Sequence, residues 1–113
     1  MKVYGFRIFV SNLAEARSFY AHTLSLPISF ETEDALGFDA GIQIIVELDD
    51  GAHPGLQGRF TGLSFSTENL GADYDALRAR GVQFVAPPEE QPWGGSLAHF
   101  LDPSGNTLTL VSL

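Results

Sequence analysis

From Val3 to Val10 the chain is rich in β-favouring side chains (Val3, Tyr4, Phe6, Ile8, Phe9, Val10), and the pattern then changes period. Asn12 stands where a helix cap belongs, and Leu13, Ala16, Tyr20 and Leu24 fall on one face of the helix it opens. The same order returns about 57 residues later. Phe60 to Thr67 alternates Leu63, Phe65 and Thr67 with Gly62, Ser64 and Ser66, and Asn69 opens a helix carrying Leu70, Tyr74 and Leu77 on one face. Each helix meets a stop, Leu24 to Pro27 in the first case and Gly81 in the second, where glycine accommodates the left-handed conformation past the last turn.

Three strands follow in each half. In the first they read Ile28 to Thr32, Ala35 to Asp39 and Ile42 to Leu48; in the second, Val82 to Ala86, Ser96 to Leu101 and Thr107 to Ser112. Asp102-Pro103-Ser104-Gly105-Asn106 is a turn between the last two, with proline setting one torsion and glycine supplying a positive φ. The chain therefore reads as an internal duplication, strand-helix-strand-strand-strand twice. Module 1 covers about 1–50, a connector 49–59, and module 2 60–113, within one domain.

Composition adds exclusions. The chain has 113 residues, 44% of them hydrophobic with nine Phe, so it can bury a core without covalent staples. It has no Cys, which removes disulfides, thiolate metal sites and cysteine catalysis. Net charge is −8, and the six cations (Lys2, Arg7, Arg17, Arg59, Arg78, Arg80) form no stripe, so neither nucleic acid nor an anionic membrane surface is an expected partner. Met1-Lys2-Val3 runs straight into a strand without the apolar stretch of a signal peptide, and the expected location is cytoplasmic.

Phe6-Arg7-Ile8-Phe9-Val10-Ser11-Asn12-Leu13, Phe19-Tyr20 and Leu24-Ser25-Leu26-Pro27 resemble the opening of glyoxalase/bleomycin resistance/dioxygenase proteins, the vicinal oxygen chelate superfamily. Pro92-Trp93-Gly94-Gly95 and Phe100 to Asn106 resemble its ending. The resemblance implies an α+β fold in which two βαβββ modules form a cup of two curved mixed sheets with the helices outside. Many members hold a divalent metal there through side chains on the first and fourth strands of each module. Carried onto this sequence, those positions are Gly5, Glu47, Gly62 and Thr109, and only Glu47 is a strong donor. No cofactor is expected; a divalent metal stays open only if unexpected donors join Glu47. Ser25 stands where relatives usually carry glycine, which strains that turn or alters its path. Similar proteins often form homodimers, some exchanging halves, so a shared cup is open to this chain as well.

If Gly5 and Glu47 point into the cup, alternation sends Arg7, Phe9, Gln43 and Ile45 there too, with Ser64, Ser66, Thr107 and Thr109 from the second module. Phe6, Ile8, Val10, Ile44, Val46, Leu48, Leu63, Phe65, Leu108 and Leu110 then face the helices. The inward set mixes a cation, an anion, an amide, hydroxyls and an aromatic ring, which suits a small-molecule ligand. Arg7 reads in two ways that are not exclusive: it orients a carboxylate, phosphate or polarised carbonyl, and it pairs with Glu47. Paired, Glu47 is a poor general base; buried and unpaired, it can act as one.

His99 lies mid-strand and is a candidate for proton transfer if it faces the cup. His22 reads as a solvated helix residue, and His53 as part of a turn-rich connector with Asp49 and Asp50. Trp93 either closes the rim of the cup or packs on the preceding segment. With Phe9 and the acidic surface, a rim indole suits aromatic cationic ligands of the bleomycin type.

Two functions follow. One is metal-independent binding or sequestration of a small organic molecule, with Arg7, Phe9, Gln43, Glu47, Ser64, Ser66, Trp93 and Thr109 as ligand contacts. The other is a glyoxalase- or dioxygenase-type enzyme (lyase, isomerase or dioxygenase) acting on a small oxygenated substrate, with Glu47 and His99 as candidate catalytic groups.

Overall fold

A computed structural model describes all residues 1–113. The first half contains β1 (Phe6–Val10), α1 (Leu13–Arg17), a π-helical segment (Ser18–Thr23), β2 (Ile28–Glu31), β3 (Ala35–Asp39) and β4 (Gln43–Leu48). The second contains β5 (Phe60–Ser66), α2 (Leu70–Ala79), the two-residue strands β6 (Gln83–Phe84) and β7 (Glu89–Glu90), then β8 (Ser96–Leu101) and β9 (Thr107–Ser112). The sheets have orders β1-β4-β3-β2 and β5-β9-β8-β6, with β7 added against β8. In each sheet the first strand runs parallel to the last, β1 with β4 and β5 with β9, and the remaining pairings are antiparallel. The mixed sheets follow from the repeat: a helix after the first strand returns the chain for a parallel closure, and short turns give the rest.

Both caps form as the pattern predicts. The Asn12 side chain accepts from the Glu15 N–H and that of Asn69 from the Ala72 N–H. Gly81 ends α2 with φ +91°. The first helix departs from the expectation by widening into a π-turn, in which the Leu24 N–H reaches back to the Phe19 carbonyl. The widening lets two consecutive side chains be buried. Phe19 packs 6.4 Å from Phe100 of the second sheet, and Tyr20 packs 5.6 Å from Phe38 of the first.

One core of 16 buried residues joins the halves. Ile8, Val10, Ile44 and Val46 enter it from the first sheet, Ala98, Phe100, Leu108 and Leu110 from the second, and Ala16, Tyr20, Leu70 and Leu77 from the helices. Each fully buried large apolar side chain contributes about 1.5–3 kcal/mol relative to exposure.

Some boundaries and one face differ from the sequence reading, and β2 and β4 are each one residue shorter than expected. β1 starts at Phe6, which pairs with Ile44; Gly5 lies against Gln43, the first residue of β4, and the residues before it are exposed. Val82 closes α2 instead of opening a strand, its N–H bonding the Leu77 carbonyl, and Pro87 and Pro88 supply no N–H to prolong β6. Glu89–Glu90, outside the strands expected from the sequence, pairs with β8. Leu48, expected to face the helices, is 39% exposed and borders the cavity beside Glu47, where the strand is ending.

Candidate functional site

Alternation places the polar candidates on the faces turned away from the core. In β1 and β4, Arg7 and Glu47 meet on that face: Nε donates to Oε2 at 2.5 Å and Nη2 to Oε1 at 3.0 Å. This fork matches guanidinium to carboxylate geometry. Its hydrogen bond and charge raise the pKa of Arg7 above its ordinary value. The Arg7 side chain is 61% exposed and that of Glu47 23%, so water screens the pair. The guanidinium also lies 5.2 Å over the Phe9 ring, two residues along the same face.

Around this cluster is a cavity of about 400 Å³, walled by Phe9, Leu48, Asp49, His53, Leu56 and Arg59 besides the ion pair. Its walls come from the first sheet and the connector. Arg59 reaches back across the β1 edge to donate to the Arg7 carbonyl at 3.5 Å. Sequence reasoning read His53 as a solvated loop residue and left out Leu56 and Arg59. Only the path of the connector brings them here, and no residue pattern announces that path.

On the second sheet, His99 and Thr109 are direct partners across β8 and β9, and His99 Nδ1 and Thr109 Oγ1 share a hydrogen bond of 2.8 Å. His99 therefore lies on the same face as Thr109. The Phe60 ring stands edge-on to the imidazole at 5.4 Å, and Phe60 is 64% exposed. Ser64 and Ser66 lie exposed along β5, with Ser64 Oγ donating to the Gly62 carbonyl at 3.1 Å. Phe60 escaped notice as a site residue because its distance from His99 depends on a register that sequence does not print.

The structure thus makes two clusters: Arg7, Phe9 and Glu47 on one sheet, and His99, Thr109 and Phe60 on the other. Gln43 opens β4 opposite Asp39, at the other end of the strand from Glu47. Trp93 is 56% exposed and lies against Gly95, where an added Cβ would stand 2.0 Å from its ring. Thus Trp93 covers its own loop, on the half of the chain that does not carry Phe9. His22 is exposed on the π-helical segment.

The four positions implied for metal ligands do not suit a metal. A Cβ at Gly5 would stand 2.7 Å from the Gln43 carbonyl oxygen, and Gly62 has φ +74° in a bulge between Phe60 and Ser64. Both are glycine for backbone reasons. Of the remaining two, Thr109 is bonded to His99, and each Glu47 oxygen accepts from Arg7. Nowhere do three His, Cys, Asp or Glu side chains gather with metal-binding geometry.

The sequence profile of the glyoxalase/bleomycin resistance protein/dioxygenase superfamily matches residues 4–110. The chain belongs to this superfamily. Among curated proteins it is 30% identical over 129 residues to the uncharacterized protein YraH of Bacillus subtilis (strain 168), covering 100% of this chain and 99% of that one. Among solved structures it is similar to a superfamily member from Sphaerobacter thermophilus DSM 20745, with 34% identity, TM-score 0.84 and coverage of 100% and 98%. The lactoylglutathione lyase of Agrobacterium tumefaciens, 15% identical with TM-score 0.78 over 98% of this chain and 92% of that one, shares the fold alone. No helix of this superfamily member is long and apolar enough to cross a membrane.

Proposed function

We propose that this glyoxalase/bleomycin-resistance-like protein binds a small organic molecule in its cup without a metal, as a sequestering or carrying protein of the cytoplasm. The observation that carries this reading is the Arg7–Glu47 fork, which occupies the one strong metal donor and leaves a guanidinium with spare N–H groups facing an open cavity. Such a group recognises a ligand carboxylate, phosphate or carbonyl. Phe9 supplies an apolar wall against which an unsaturated ligand can stack.

The arrangement also favours a homodimer. The cavity at Arg7 draws on the first half only, whereas His99, Thr109 and Phe60 occupy the second sheet, and Phe60 is largely exposed. A second copy that laid its β5–β9 face beside Arg7 and Glu47 would complete a cup with both clusters. The enzymatic alternative draws on His99, whose second ring nitrogen is free of protein partners and could relay a proton.

The test is metal content of protein purified without an affinity tag, followed by thermal unfolding with divalent ions, with chelator and with a small-molecule panel. The expected result is no stoichiometric metal, no response to chelator, and stabilisation by organic ligands that is lost in Arg7→Ala. Stoichiometric Zn²⁺, Ni²⁺, Mn²⁺ or Fe²⁺ with a raised midpoint would overturn the metal-free reading. Sedimentation velocity at micromolar concentration tests the dimer, and a monomer under ligand-binding conditions would refute it.

A further inference from the structure

A second cavity, of about 310 Å³, lies on the helix side of the second sheet; of the residues the sequence sends to the cup, only Ser66, at the end of β5, borders it instead. The turn after the π-helical segment forms one wall, α2 forms another, and Phe65, Phe100 and Leu110 form the floor. Its size is at the small end of the range that ligand pockets occupy. Leu24, Leu26 and Leu77 extend the apolar lining, while the charged groups stand at either end of the α2 wall: Asp73 in the first turn, Arg80 at the C-cap.

These two charges are not equivalent. Asp73 already accepts a hydrogen bond from the Thr67 hydroxyl and sits in the first turn of α2, where the helix dipole favours an anion. Arg80 donates one N–H, from Nη1 to the Thr23 carbonyl at 2.9 Å, and forms no ion pair; the two ion pairs in the molecule are Arg7–Glu47 and Arg17–Glu31. A guanidinium has five N–H donors in a planar fork, so one anchoring bond fixes its position while the rest stay open. It also borders a neighbouring cavity of about 230 Å³ beside Asp102 and Pro103.

Ser25 is the third component. It is the one non-glycine residue with a positive φ, +58°, and it borders the cavity. Its hydroxyl is held only by a 3.4 Å contact to the His22 carbonyl. Its left-handed φ is that of a residue ending a helix, and it leaves the hydroxyl at the cavity rim with little to hold it.

We propose that this cavity is a second ligand site, separate from the cup, that binds a small apolar monocarboxylate. The carboxylate is held by Arg80 with help from Ser25, and the hydrocarbon lies on Phe65, Phe100 and Leu110. Asp73 at the far end disfavours a second negative charge on the hydrocarbon end of the ligand.

The probes are octanoate, octanol and octylamine, titrated calorimetrically and in thermal unfolding against wild type, Arg80→Gln, Ala76→Phe and Arg7→Ala. Octanoate is expected to bind wild type at about tenfold or more higher affinity than octanol, and Arg80→Gln to remove that preference. Ala76 is exposed on the α2 wall, so Ala76→Phe should plug the cavity while the fold is kept. Arg7→Ala removes the cation of the cup, which does not line this cavity, and so separates octanoate held in the cup from octanoate held at Arg80. No binding of octanoate to wild type at millimolar concentration would overturn the proposal, as would equal binding of octanol. Loss of octanoate binding in Arg7→Ala but not in Arg80→Gln would assign the ligand to the cup and overturn it as well.

Discussion

Removing one oxygen atom, by Tyr20→Phe, tests the buried polar network that joins the two halves. Tyr20 is fully buried, and its hydroxyl donates to Asp102 Oδ2 at 2.8 Å. The rest of the Asp102 carboxylate is occupied too. Oδ1 accepts from the Ser104 and Asn106 backbone N–H groups at 2.9 Å each, and Oδ2 from Asn106 Nδ2 at 3.0 Å. Asn106 in turn donates to the Phe9 carbonyl at 2.8 Å and accepts from the Gly58 N–H at 2.9 Å. One ring hydroxyl thus supports a network reaching the first strand, the connector and the last hairpin turn.

A hydrogen bond to a charged group contributes about 1.5–3 kcal/mol, and Phe fills nearly the same volume, so the loss is that of the bond with little cavity term. For a chain of this length about 2 kcal/mol corresponds to a fall of about 8 °C in melting temperature. Urea unfolding at fixed protein concentration should show the midpoint shifted with the slope unchanged. Burial, the Asp102 charge and the hydrogen bond raise the Tyr20 pKa well above the ordinary tyrosine value of 10.0. The unfolded chain therefore loses the proton first. The contribution is complete below about pH 10 and declines as pH rises beyond it, and Tyr20→Phe should lack this alkaline decline. A midpoint change equivalent to less than about 0.5 kcal/mol at pH 7 would refute the reasoning, because surface-like substitutions produce no more.

Ser25→Gly should stabilise the protein by up to about 1 kcal/mol, since glycine reaches φ +58° without a Cβ penalty and only a long contact to His22 is lost; thermal unfolding checks it. Gly5→Ala should destabilise by about 1–3 kcal/mol in chemical denaturation, because the new Cβ meets the Gln43 carbonyl oxygen at 2.7 Å. Thr109→Val should cost about 1 kcal/mol in urea unfolding, because His99 loses its protein hydrogen-bond partner.

The element order was legible because it rests on local chemistry: two asparagine caps, a glycine stop, and a turn whose proline and glycine each have one geometric use. Face assignments were legible for the same reason, since alternation sent Arg7 and Glu47 to one side and Ile8 and Val46 to the other. The Arg7–Glu47 pair stood as one of two compatible readings of Arg7, and adjacency of β1 and β4 forms it. Distances between sequence-remote segments were not legible. The connector's placement of Arg59 against β1, the meeting of Phe60 with His99, and the cavity beside Arg80 all depend on tertiary packing. The π-turn was hidden because Phe19 and Tyr20 each fit a helix, and only the presence of a second sheet makes it favourable to bury both.

The duplicated modules have diverged most where their strands correspond. In the first sheet, Glu47 lies beside Phe9 on β1 and Ala35 on β3, and its charge is met diagonally by Arg7. In the second, Thr109 lies beside Ser64 on β5 and His99 on β8, and its hydroxyl is met from β8. The bulge at Gly62 produces part of this difference, because four residues of β5 span what two of β9 span between the Phe60 and Ser64 pairings. The correspondence that would place another side chain where Arg7 stands is broken there. One face therefore offers charge and the other hydroxyls with an imidazole, so a cup made from both would read a ligand with one ionic end and one neutral, hydrogen-bonding end. Exchanging the chemistry, with Arg7→Ser and Glu47→Thr together, should leave the fold intact while weakening the cup's preference for charged over neutral ligands in a binding screen run in the Arg80→Gln background.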